Sequence, residues 1–160
     1  MKESLEILTL RPARYDDCRL LWCWANDPEV RKVSINTEPI PWEQHQDWFK
    51  KKIESDTSWI YILEYKENPI GQIRFDQVVS GEAEISVSID SSMRGKSYGT
   101  KIIQLGIKKI CEDTNLRYFI AYIRPNNIPS MRVFEKAGFC KEIIEFRDKL
   151  GLYKMVRRTT

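Results

Sequence analysis

The sequence predicts an α+β domain with a mixed central sheet of six to seven strands and about four helices. Two observations predict the class. Segments of period two and period 3.6 follow one another in the order β, α, α, three β, α, β, α, β, β. The three consecutive strand signals are separated by short turn signals, which reads as an antiparallel meander. A third observation sets the domain count. No internal repeat, low-complexity tract or linker interrupts the 160 residues, so residues 1–160 read as one domain.

The elements follow in chain order. Leu5 to Arg11 alternates weakly and reads as a strand. Asp16 or Asp17 can cap a helix through Leu20, Leu21 and Trp24, which Asn26-Asp27-Pro28 breaks. Pro39 and Pro41 bracket a second start, and Glu43 to Ile53 reads as a helix with Trp48, Phe49 and Ile53 on one side. Trp59 to Tyr65 is rich in β-branched and aromatic residues, Glu67-Asn68-Pro69 turns the chain, and Ile70 to Val79 returns it. Ser80-Gly81 turns again, and Glu84 to Asp90 alternates through Ile85, Val87 and Ile89. From Gly99 to Cys111 the spacing of Ile102, Ile103, Leu105, Gly106, Ile107 and Ile110 fits a buried helix. Tyr118 to Ile123 is a strand, Pro129 to Ala137 a short helix ended by Gly138, and Phe139 to Phe146 and Leu152 to Arg157 are two last strands joined at Asp148 to Gly151.

Composition excludes several classes. With 26 basic and 23 acidic residues the formal charge is only +3, which does not argue for nucleic-acid or membrane partners. No run approaches the ~20 apolar residues of a membrane span, and the stretch Met1 to Leu10, broken by Glu3 and Glu6, is not read as a secretory signal. The four cysteines are scattered and only one histidine, His45, is present, so no metal site is expected. Reduced thiols and a cytoplasmic location are the simplest reading.

The informative segment is Asp90 to Thr100, D-S-S-M-R-G-K-S-Y-G-T, between a predicted strand and a strong helix. Glycine-bearing turns at such a junction direct backbone N–H groups at a phosphate or pyrophosphate, and Arg94 and Lys96 add positive charge. Gly95-Lys96-Ser97 is not the tail of a nucleotide P-loop, because Asp90 stands where the first glycine is needed, and the glycines do not make GxGxxG. A glycine turn that merely feeds a core helix is the competing reading.

Arg94-Gly95-Lys96-Ser97-Tyr98-Gly99 resembles the [Q/R]-x-x-G-x-[G/A] coenzyme A loop of the GNAT acetyltransferases, with Ser97 in place of the middle glycine. The segment Asn127-Ile128-Pro129-Ser130-Met131-Arg132-Val133-Phe134-Glu135-Lys136-Ala137-Gly138-Phe139 resembles the family's N-x-x-S/A-x-x-x-Y/F-x-x-x-G-F, in the right order and at the right separation. The resemblance implies the family fold, with Glu84 to Asp90 and Phe119 to Ile123 as a splayed pair of parallel strands, and acetyl-CoA as co-substrate. It implies that the backbone of Val87 and Ile89 holds the pantetheine arm. It places the pyrophosphate on Arg94, Gly95, Lys96, Ser97, Tyr98, Gly99 and Thr100, with Asn127 and Ser130 nearby.

The implied reaction is direct attack of a neutral amine on the thioester, which needs a proton acceptor and a donor for the leaving thiolate. Glu84 is the candidate base, acting through water, with Glu82 as alternative. Many relatives carry tyrosine where this chain has Phe134, so the acid is open among Tyr98, Tyr122, Ser130 and water. A non-catalytic acetyl-CoA sensor is the reading from another class.

The first two helices resemble those of GNAT enzymes acting on 4-amino nucleotide sugars, in Trp24 to Arg31 and in Pro39-Ile40-Pro41-Trp42-Glu43-Gln44-His45-Gln46-Asp47-Trp48-Phe49. The expected acceptor is a small-molecule amine, foremost a nucleotide-linked amino sugar, contacted by Asn26, Arg31, Trp42 and His45. Protein N-terminal amines, polyamines and antibiotics are alternatives, and the oligomeric state, a homodimer included, stays open.

Overall fold

The structure is a computed structural model that describes residues 8–142 and 151–160. β1 (Leu8–Pro12), β2 (Ser58–Tyr65), β3 (Asn68–Val79) and β4 (Glu82–Ile89) form an antiparallel run. β5 (Tyr118–Ile123) joins β4 in parallel, and β7 (Tyr153–Arg158) and β6 (Cys140–Lys141) complete the order β1-β2-β3-β4-β5-β7-β6. The expected strand Phe139 to Phe146 is described only through Cys140–Lys141, and residues 143–150, with most of the expected joining turn, lie outside the described residues.

Among the described residues there are five α-helices: α1 (Cys18–Ala25), α2 (Pro28–Val33), α3 (Trp42–Ile53), α4 (Tyr98–Asp113) and α5 (Ile128–Lys136). α2 is the addition to the sequence reading. Asn26-Asp27-Pro28 does break α1, but it also starts a new helix: the Asp27 carboxylate accepts from Glu29 N–H at 2.9 Å and Pro28 occupies the first turn, where its missing N–H costs nothing. Asp17 precedes α1 without capping it. Its carboxylate instead forks onto Arg11 at 2.8 and 2.9 Å and accepts Arg14 N–H at 2.7 Å, clamping the entry of α1 to β1. The β2–β3 turn is also displaced from its expected place. Lys66 and Glu67 both take positive φ, the pattern of a two-residue hairpin turn, and Asn68-Pro69 already belong to β3.

Each face of the sheet has its own core. On one face, α4 presents Ile102, Ile103, Gly106, Ile107 and Ile110, the stripe that its 3.6-residue period places inward, against Ile73 and Phe75 of β3, Ile85 of β4 and Phe119 of β5. α5 adds Phe134, whose ring meets Phe139 edge-on at 5.0 Å. On the other face, Leu21 and Trp24 of α1 and Phe49 of α3 cover Ile60 and Ile62 of β2. That apolar cluster is centred on β2, and over β3 and β4 the same face turns polar. In the rows beside Ile60 and Ile62 stand Arg74 with Ser86, and Gln72 with Ser88.

Gly106 sets how closely α4 approaches the sheet. A Cβ there would meet Ile73 Cδ1 at 2.7 Å and Cγ2 at 3.2 Å. Gly106→Val should therefore cost about 2 kcal/mol through overpacking, read as a lower denaturation midpoint with an unchanged slope.

Candidate active site

The β4–β5 ladder pairs Glu82 with Tyr118, Ala83 with Phe119 and Glu84 with Ile120, then ends, although the strands run on to Ile89 and Ile123. The result is a wedge with one open strand edge. Asp90 N–H donates to Ile70 O at 2.8 Å, toward β3. Because backbone groups alternate sides along a strand, those of Val87 and Ile89 face the wedge. An extended chain lying there would find the hydrogen-bonding groups of an unpaired strand, as the resemblance requires.

The turn from β4 into α4 is shaped to receive an anion. Gly95 takes φ +76°, and Ser97, the residue before α4, takes φ +67° and ψ +13°. Ser97 thus adopts the left-handed conformation that the family's middle glycine would supply, at a cost a glycine avoids. Its side chain makes no capping bond, and the first turn of α4 carries no acidic residue, so the N–H groups at that end have no side-chain competitor. The turn is held from below. Asp90 Oδ1 accepts Ser92 N–H at 3.0 Å and Ser92 Oγ–H at 2.6 Å, and Oδ2 accepts Trp24 Nε1–H at 2.8 Å. Ser92 and then Trp24 hold this carboxyl below its usual range. Gly99 has a packing role: a Cβ there would stand 3.1 Å from Val133 Cγ1 of α5.

A cavity of about 980 Å³ runs from the wedge across the face of the sheet that carries Gln72, Arg74, Ser86 and Ser88. Its walls include Ser86 to Ile89 of β4, Tyr122 of β5, Asn127, Ser130 and Phe134, and Arg31 and His45 from the helical layer. Asn127 Oδ1 caps α5 by accepting Ser130 N–H at 3.3 Å. Of the Arg94 to Thr100 loop only Arg94 lines the cavity, its Nε on Ile89 O at 3.1 Å and its Nη2 3.4 Å from Asp27.

The remaining expected residues are distributed unevenly. Glu84 does not line the cavity; it sits at the root of the wedge, on the same sheet face as Ser86 and Ser88. Asn26 and Trp42 are also outside it. Both amide atoms of Asn26 bond Ile40, at 3.0 Å to its O and 2.7 Å from its N, while Trp42 packs on Trp22 and lies under Arg19. Arg31 lines the cavity, yet all three of its nitrogens serve the chain itself. Nε bonds Ala25 O, Nη1 bonds Asn36 O and Glu38 O, and Nη2 bonds Ser34 Oγ, which folds residues 34–38 over α2. The sequence reading missed Gln72, Arg74, Ser86 and Ser88. The available signal was polar residues at alternate positions of a strand flanked on both sides.

His45 is 3% exposed among Trp42, Trp48 and Phe49, and its Nε2–H donates to Cys18 O at 2.9 Å. Burial pushes the imidazole below its ordinary value of 6.5, partly opposed by that bond. The unfolded chain therefore binds a proton that the folded chain resists. Stability should fall as pH drops below about 6.5, by at most ~1.4 kcal/mol per pH unit. His45→Gln should flatten that part of the slope in denaturant titrations at pH 7.5 and 5.5.

Among the described residues, no helix is long and apolar enough to cross a membrane, and no group of three or more His, Cys, Asp or Glu is placed to hold a metal ion. The Bacillus subtilis (strain 168) protein YwnH, provisionally named a phosphinothricin acetyltransferase, is 30% identical over 141 residues, which cover 84% of this chain and 85% of that one. The aminoglycoside acetyltransferase AAC(6')-Ib, solved with coenzyme A and kanamycin, superposes with a TM-score of 0.82 at 19% identity, covering 94% of each chain. The spermidine N-acetyltransferase of Vibrio cholerae, solved with CoA and spermine, does so with a TM-score of 0.82 at 18% identity, covering 96% of each. Residues 8–140 match the Acetyltransferase (GNAT) domain, and the chain belongs to the GNAT family of acetyl-CoA-dependent N-acetyltransferases.

Proposed function

We propose that the acceptor is an anionic amine, foremost the 4-amino group of a nucleotide-linked sugar. The carrying observation is the charge of the cavity wall: Arg31, Lys32, Arg74, Arg94 and Arg124 face a single carboxylate, Glu29. Polyamines and aminoglycosides bring several positive charges, and a wall of this sign repels them.

In this reading the backbone of Val87 and Ile89 holds the pantetheine arm, Ile89 O exchanging its bond to Arg94 Nε for one to the ligand, and the turn from Arg94 to Thr100 holds the pyrophosphate. The amine enters from the acceptor side and attacks the thioester carbon. Its proton leaves through water to Glu84, whose position at the root of the wedge fits a water-mediated route. Phe134 lines the cavity without a hydroxyl, so Tyr122 or Ser130, both in the wall, protonates the departing thiolate.

Free-thiol release from acetyl-CoA over an amine panel tests the acceptor. A UDP-linked 4-amino sugar should be turned over at least about tenfold faster than spermidine or kanamycin; the reverse preference would sink the reading. Glu84→Gln should lower kcat roughly 10²-fold with little change in acetyl-CoA affinity. A larger loss in Glu29→Gln than in Glu84→Gln would move the base to the one carboxylate in the wall.

The loop assignment has its own test at Ser97. Ser97→Gly should keep acetyl-CoA affinity and raise stability by up to about 1 kcal/mol, because it relieves a left-handed serine. Ser97→Val should weaken acetyl-CoA binding at least tenfold, and equal affinities by calorimetry would contradict the phosphate-binding role.

A further inference from the structure

We propose that Arg74 is the anchor for an oxoanion, a carboxylate or a phosphate, carried by the acceptor. This rests on acetyl transfer in the cavity but not on the acceptor being a sugar. Arg74 stands in the middle of β3, and its Nε donates to Asp76 Oδ2 at 2.7 Å while its guanidinium lies 5.0 Å over the Trp48 ring. The ion pair and the stacked ring fix the guanidinium in two different directions. Among the described residues, Nη1 and Nη2 make no hydrogen bond, and the side chain is 23% exposed in the cavity wall. A guanidinium fixed at Nε with both terminal nitrogens available matches the two oxygens of a carboxylate or phosphate.

Asp76 does not cancel this site. Its Oδ1 accepts from Lys52 Nζ and Ser58 Oγ, each at 2.7 Å, so the carboxylate is shared between two cations; Glu84, opposite Asp76 on β4, brings the cluster to balance, and Arg74 is the member of it that lines the cavity. Burial would push the Asp76 carboxyl up, but Arg74, Lys52 and Ser58 outweigh it and keep the group ionised. The other wall arginines are committed differently. Arg31 bonds the loop over α2 and Arg94 leans on Ile89 O and Asp27; Arg124 donates from Nη2 to Ile35 O at 2.9 Å, its buried Nε has no partner, and it has no carboxylate or ring to fix it as Arg74 has.

The neighbours of Arg74 suit the same ligand. Ser86 stands directly opposite on β4, offering a hydroxyl to the oxoanion. In the next row Gln72 Nε2 donates to Ser88 Oγ at 3.0 Å, while its buried Oε1 has no partner. That row can take a donor, such as a hydroxyl or N–H, from the rest of the acceptor. The Arg74–Ser86 row adjoins the first position at which the β4–β5 ladder is open, so an acceptor anchored there carries its amine toward the thioester.

Calorimetry with the intact protein saturated in CoA tests the anchor, because the cofactor's own phosphate site is then filled. UDP and glutarate are the two probes, on wild type, Arg74→Gln and Arg74→Lys. At least one probe should bind wild type and bind Arg74→Gln at least tenfold more weakly, with CoA affinity unchanged. Arg74→Lys keeps a cation beside Asp76 but loses the fork, and should show an intermediate loss; it carries the test if Arg74→Gln does not fold. UDP binding lost in the variants supports both the anchor and a nucleotide-linked acceptor. Glutarate binding without UDP binding supports the anchor and overturns the nucleotide. No binding of either probe to wild type, or equal binding to all three proteins, overturns the anchor.

Discussion

The site depends on one missing stretch of ladder. β4 and β5 are pinned at the base, where Arg117 and Tyr118 N–H both donate to Gly81 O at 2.9 and 3.1 Å, and they pair only as far as Glu84 and Ile120. Above that point each strand keeps a partner on its outer side: β3 follows β4 to Ile89, and β7 follows β5 to Ile123. The strands therefore remain regular while their inner edges come apart. Unpaired backbone groups inside a protein are costly, so an edge left open in the middle of a sheet needs water or a ligand chain to satisfy it. Gly71 bears on this geometry. It stands opposite Ile89, and a Cβ there would meet Ile89 Cδ1 at 2.7 Å and Ser88 O at 2.9 Å, so the upper end of β4 is drawn close to β3.

The two sides of the wedge meet at Asp90. Its carboxylate joins the turn that precedes α4 to Trp24 of α1, and Arg94 in the same turn reaches Asp27 at the start of α2. The turn before α4 and the helices α1 and α2 are thus tied by side chains rather than by the sheet alone. A shift in one is felt in the other through a hydrogen bond and an ion pair. Of the two ties, the ion pair reaches the cavity wall through Arg94, while the Trp24–Asp90 bond lies behind it.

Much of this architecture was legible in the sequence because it is written in periodicity. The isoleucine stripe of α4, the meander and the alternation of Ile85, Val87 and Ile89 each follow from side-chain spacing alone. The shape of the turn before α4 was legible for a related reason: Gly95 stands at a positive φ, and Ser97 betrays the need for one only through the family pattern. What spacing did not reveal were matters of direction and partnership. Asp17 looks like a cap but is claimed by Arg11, and Arg31 looks like a phosphate ligand but is claimed by the carbonyls of its own loop. Trp42 and His45 lie on one helix close together, yet His45 lines the cavity and Trp42 packs behind it. In each case a polar or aromatic group was visible, and the competitor for its bonds was far away in sequence.

Charge illustrates the same limit more sharply. A formal charge of +3 on 160 residues is unremarkable and gave no hint of a cavity wall rich in basic side chains. The cations that matter come from separate elements: Arg31 and Lys32 from α2, Arg74 from β3, Arg94 from the turn before α4, and Arg124 from the end of β5. No run of basic residues marks them, because the sheet gathers them only after folding. Five basic groups against one carboxylate around a single cavity leave the rest of the chain close to neutral, so the field is concentrated at the cavity. That distribution is one that the net charge of the chain conceals.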